Sequence, residues 1–221
     1  MDDGAHTGGV QHHYMHGLCF DGMWDYQTRS RSGRRSWARL DLGSAAYPWT
    51  VEDDPEGAGW CVRCCASVLG QRPVSLTQMQ KALVLTSEPA SVASALHKLL
   101  PKFDIDTRYA IDATTLQEVE KAIAAGGGVL ARLERRHELR KIPPCWVWIV
   151  GVETKPASLC ILSESSQRLL LVGRALHPAW ASGYGAKAIF ADVDTWLIRS
   201  VDGNSWSGSF SSMICMWPVQ L

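Results

Sequence analysis

The chain of 221 residues has no excess of either charge: 22 lysines and arginines balance 22 aspartates and glutamates. With a formal net charge of zero, no global field steers it to nucleic acid or to an anionic membrane, and neither is expected as a partner. It also lacks any run approaching the roughly 20 apolar residues that a spanning helix needs. Its opening residues, MDDGAHTGGVQHHYMHG, have no apolar core of the kind a signal peptide carries. The seven cysteines (Cys19, Cys61, Cys64, Cys65, Cys145, Cys160 and Cys215) are odd in number and include a vicinal pair, which does not fit a secreted disulfide framework. A reducing, cytoplasmic location is the expectation. No cofactor is implied.

What is present is an ordinary globular composition, 46% apolar and 20% charged, long enough for one large domain or two small ones. Ten tryptophans serve either a large core or an aromatic groove. Residues 1–56 read as an irregular N-terminal extension, and residues 57–221 as the domain proper. HHYMH in the extension (His12, His13, His16) has no companion cysteine or carboxylate at metal-site spacing, so no metal is expected there. The basic run RSRSGRR reads as a solvated loop or a docking strip.

The stretch GAGWCVRCCASVLG, residues 57–70, anchors the rest. Val62, Ala66, Val68 and Leu69 supply the apolar side of a short helix, and Gly70 ends it. Cys61 falls in its first turn, where the helix dipole favours a thiolate and lowers the thiol pKa. That suits a nucleophile, although free cysteine is also among the most buried residue types. Ser75 and Gln78 have capping-box spacing before a second helix. A third begins at Glu88-Pro89 and ends before Pro101. FDIDTRYAI alternates as a strand. Thr115 and Glu118 predict a further capping box, with the helix ending at Gly126 to Gly128. GVLARLE alternates as a strand. PPCWVWIVGVE is nearly continuous in apolar residues and predicts a central strand. ERRHELRK between them reads as a charged connection, with His137 a solvated loop residue. SLCILSES, RLLLVGRAL, AIFADVDTWLIRSVDGNSW and SSMICMWPVQ supply further strands. Helices first and strands after predict an α+β fold, with an N-terminal helical lobe packed on an antiparallel β-sheet.

These motifs, in this order, resemble the papain-like cysteine peptidase superfamily, in particular the bacterial branch of bacteriocin-leader (double-glycine) peptidase domains. There a Cys opens a helix ending in MVLG; here the stretch is WCVRCCASVLG. A Gly-rich strand start follows, here AIAAGGGVLARLE, and then HWVVVVG, here CWVWIVGVE. The similarity covers about residues 57–165. It puts Cys61 at the nucleophile position and Cys145 at the position of the family's histidine base. Glu164 is the nearest match to the third member, without the proline that follows it in the family. Pro55 stands at the spacing of the oxyanion-hole glutamine, beside Glu56. Two thiols facing across the cleft are the expectation, able to form a disulfide or bind a soft metal if geometry allows.

The resemblance therefore implies a papain-like domain that is catalytically degenerate and holds a peptide or protein partner in the old substrate cleft. The alternative is an active peptidase, amidase or acyltransferase. It would work through a Cys61 thioester with a displaced base, His177 or His137, and with the Cys61 N–H lending part of an oxyanion hole. Asn204, in DGNSW, lies two residues before a tryptophan, close to the spacing of papain-like enzymes; Asp-Gly is also a plain hairpin turn. Trp60-Cys61-Val62-Arg63-Cys64 has a thioredoxin-like shape, but the acidic, turn-like residues before it are not the apolar strand that motif needs. A zinc site on Cys61, Cys64 and Cys65 lacks a second ligand pair.

Overall fold

A computed structural model describes residues 11–14, 18–20, 23–29, 35–41, 53–82, 87–137, 140–155, 166–173, 187–194, 197–200 and 206–219. In chain order the elements are β1 (Gln11–Tyr14), β2 (Leu18–Phe20), β3 (Met23–Arg29), β4 (Arg35–Asp41), α1 (Ala58–Leu69), α2 (Leu76–Ala82), α3 (Pro89–Leu99), β5 (Phe103–Arg108) and α4 (Ala113–Ala124). From residue 128 on, the described elements are strands: β6 (Gly128–His137), β7 (Arg140–Lys155), β8 (Ser166–Gly173), β9 (Lys187–Asp194), β10 (Leu197–Ser200) and β11 (Trp206–Pro218). Helices and an antiparallel sheet make an α+β protein, as the element order predicts.

The main sheet has eight strands, ordered β1-β7-β6-β11-β10-β9-β8, with β5 added to β11. Because β7 also pairs with β8, the six strands from β6 to β11 form a closed circuit of hydrogen bonds. The long β7 makes closure possible. One edge pairs with β6 up to Ile149 and with β1 from Gly151 to Thr154, while β8 takes the other edge from Trp148 onward.

Local chemistry accounts for the helices. Ser75 and Gln78 form the expected capping box: the Ser75 N–H donates to Gln78 Oε1 at 2.9 Å, and the Gln78 N–H to Ser75 Oγ at 3.2 Å. Pro89 opens α3, where its missing N–H loses nothing. The box before α4 lies one turn earlier than expected. Asp112 caps the Thr115 N–H at 2.8 Å, and Thr115 reaches back to the Asp112 N–H. An aspartate accepts that bond as well as a threonine does, and it starts the helix at Ala113.

Two further expectations are corrected. The extension 1–56 is not irregular in its described parts. β1 pairs with β7 in the main sheet, and β2, β3 and β4 form a three-stranded sheet. Trp24, Tyr26 and Thr28 do alternate, a strand signal hidden among the serines and arginines around it. ERRHELRK is not a connection of its own, because β6 runs on to His137 and pairs it with Arg140.

The three consecutive glycines before β6 have different roles. Gly126 has φ +81°, a left-handed turn after α4. A Cβ on Gly127 would lie 2.0 Å from the Met216 carbonyl oxygen of β11. A Cβ on Gly128 would meet Leu69 Cδ1 at 3.1 Å and Cys65 Sγ at 3.3 Å, both on α1. Gly128 thus lets α1 lie close on β6. Gly127→Ala forces backbone apart and is expected to destabilise by about 3 kcal/mol. Gly126→Ala, with nothing within 4 Å, should cost only about 1 kcal/mol for its backbone strain. Urea midpoints of the two variants give the comparison.

The core joins α1, α3, α4 and the sheet through Val62, Leu96, Val119, Leu130, Trp146 and Trp148. Among the described residues no helix is long and apolar enough to cross a membrane.

Candidate functional site

The site forms where the start of α1 meets the edge of β7. α1 lies on the sheet face that carries Gly128 and Met216, with Cys65 Sγ 3.6 Å from Met216 Sδ. Directly opposite residues share a face, so Leu130 and Ile214 belong to this face, as do Trp146, Arg132 and Ser212 in the adjoining row. Trp146 is fully buried, and its indole Nε1 donates to the Ser87 carbonyl at 3.0 Å, tying β7 to the start of α3.

Cys61 has no exposed surface. Its thiol donates to the Trp146 carbonyl at 3.4 Å. The segment just before α1 ties the helix start to the sheet. Asp54 turns its carboxylate onto the helix start and accepts the Gly59 N–H at 3.2 Å and the Trp60 N–H at 3.1 Å. Glu56 faces the sheet. Its carbonyl accepts the Trp146 N–H at 2.7 Å, and its carboxylate takes a bidentate pair from Arg132, both bonds 2.8 Å.

This arrangement overturns the expected lowering of the Cys61 pKa. The thiol is pushed well above its ordinary value, first by burial, then by the carboxylate of Asp54, then by Cys145 and Cys65. The positive end of the helix dipole is present, but Asp54 already occupies the N–H groups through which it would act. The Cys61 N–H is also committed, to the Gly57 carbonyl at 3.1 Å, and offers no oxyanion donor here.

Cys145 pairs with Leu133, and it projects from the face opposite its neighbour Trp146. It is nonetheless near enough to Cys61 for its charge to add to the rise in that thiol's pKa. Both are free, and Cys145 is pushed up to about 11, chiefly by burial, with Arg135 opposing and Glu56 and Glu134 adding to the rise. Arg135, itself buried, donates to the Pro143 carbonyl at 3.3 Å, where the β6–β7 pairing is irregular. Glu164, His177 and Asn204 lie outside the described residues. His137 is on β6, and His97 is exposed on α3. The groups that act on the Cys61 thiol are Asp54, Cys145 and Cys65, and exposed His97 is not one of them.

The thioredoxin-like reading does not fit either. Cys61 and Cys64 lie inside a helix that starts at Ala58, and both are buried. Among the described residues no group of three or more His, Cys, Asp or Glu side chains is placed to hold a metal ion. Sequence reasoning missed Asp54 and Arg132, and it named Glu56 only as the neighbour of Pro55 at the oxyanion-glutamine spacing. An aspartate a few residues before Gly-Ala-Gly-Trp was the available signal for a capped helix start. No protein-family model matches the chain, and no curated protein matches it.

Proposed function

We propose that this is a papain-like domain that keeps the nucleophile position, Cys61, without its catalytic use, and that holds a peptide or protein partner in the cleft between helical lobe and sheet. The observation that carries the reading is the state of the Cys61 thiol. It is sealed, protonated and hydrogen-bonded to a backbone carbonyl, where acyl transfer needs a thiolate paired with a base. The backbone donors that would stabilise an oxyanion are taken by Asp54 and by the Gly57 carbonyl. α1 rests on the sheet at Gly128 and Met216, an arrangement that cleft walls would need, while the thiol is blocked; this supports binding over turnover.

Iodoacetamide labelling at pH 7.5, read at each cysteine by mass spectrometry, tests this. Cys61 in the folded protein is expected to label at least about 100-fold more slowly than a free thiol, since reaction waits on local opening. No peptide or isopeptide cleavage should accompany it. Cleavage that disappears in Cys61→Ala would refute the reading and favour a thioester mechanism with a displaced base.

A further inference from the structure

The segment before α1 is held at both ends. Residues 53–57 bridge two elements that carry the site. At one end Asp54 is bonded to the first N–H groups of α1. At the other, Glu56 grips both members of one cross-strand pair, Trp146 through its backbone N–H and Arg132 through its guanidinium. The segment turns sharply between them. The Gly57 N–H donates to the Asp54 carbonyl at 3.0 Å, and Gly57 has φ +74°.

The two ends differ in exposure. The Arg132 and Glu56 side chains keep 25% and 17% of their surface in water, whereas the Cys61 thiol has none. The Trp146 N–H and carbonyl, on the edge of β7 facing away from β6, are both occupied from within the chain, by Glu56 and by Cys61. β8 reaches this edge of β7 only from Trp148 onward. Residues 53–57 therefore stand where an incoming extended chain would otherwise pair with β7.

We infer that Asp53–Gly57 is an autoinhibitory latch: the Glu56–Arg132 clamp holds the segment over the β7 edge and thereby shuts access to Cys61. A bidentate Arg–carboxylate pair is strong enough to hold such a segment and, being partly wet, open enough to be released. The inference stands on the contacts of residues 53–57 and holds whether or not the cleft is catalytic.

The test is site-resolved iodoacetamide labelling of the full chain carrying Arg132→Gln or Glu56→Gln. Losing the charged clamp should raise the Cys61 rate by about tenfold or more, with Cys65 and Cys215 still protected. The charge-swapped pair, Glu56→Arg with Arg132→Glu, should bring Cys61 protection back toward the wild-type level. Unchanged Cys61 labelling in both single variants overturns the latch. So does a parallel rise at Cys61, Cys65 and Cys215, which reports general loosening. Faster Cys61 labelling accompanied by new amide cleavage would support the latch and refute the non-catalytic reading.

Discussion

Carried from pH 8 to pH 10.5, the protein is expected to unfold cooperatively. Cys61, Cys65, Cys145 and Cys215 are all buried thiols, and burial is the first cause of each raised pKa. Cys145 is pushed up to about 11 and Cys215 to about 12. In the unfolded chain a thiol loses its proton near pH ~8.5, whereas each of these holds it in the folded state. The unfolded state then binds fewer protons, so stability falls as pH rises through this window. Below it the contribution is fully present. Each thiol contributes a slope of about 1.4 kcal/mol per pH unit, and four together approach roughly 5 kcal/mol per unit above pH ~9.5. That is comparable to the whole stability of a typical domain, about 5–15 kcal/mol. Urea midpoints between pH 7 and 10 measure the slope, and Cys215→Ala should make it shallower by about a quarter. Midpoints that stay level to pH 10 would mean that these thiols ionise in the folded protein as they do in water.

The second large effect is at Trp146. Trp146→Ala removes a fully buried indole and its bond to the Ser87 carbonyl, with an expected loss of about 3–5 kcal/mol. Trp146→Phe keeps most of the ring and loses the hydrogen bond, for about 1 kcal/mol. Denaturation curves of both, at unchanged slope, separate packing from bonding. The residue matters beyond its ring, because its backbone receives the Cys61 thiol and meets Glu56. Trp146→Ala should therefore also speed Cys61 labelling. If that variant matched wild type in both midpoint and labelling, the account of this junction would be wrong.

The fold was legible where local chemistry decides it. Ser75/Gln78, Glu88-Pro89 and the alternating GVLARLE all mark elements close to their observed bounds, because caps and period-two patterns act over a few residues. The closure of β6 to β11 was not legible, since nothing in RLLLVG or KAIFADVD names its partner. At the site, the sequence pointed to Cys61 at a helix start beside the Cys145 strand, and α1 does meet β7 there. The pKa direction was misread. A dipole argument needs bare N–H groups, and Asp54, seven residues upstream of Cys61, fills them.

The place of β11 in the sheet also bears on the order in which the protein is synthesised. β11 pairs with β5, β6 and β10, all of which leave the ribosome before it. Roughly 100 residues separate β5 from β11, which at about 5–20 residues per second is a wait of roughly 5–20 s. During that interval β5 lacks its sheet partner, and α1 lacks the Met216 surface against which Cys65 rests. The Cys65 thiol thus spends part of translation without its final cover, a period in which a chaperone would shield it. Stalling the ribosome before and after Trp206–Pro218, and labelling the nascent chain, would show when that cover arrives.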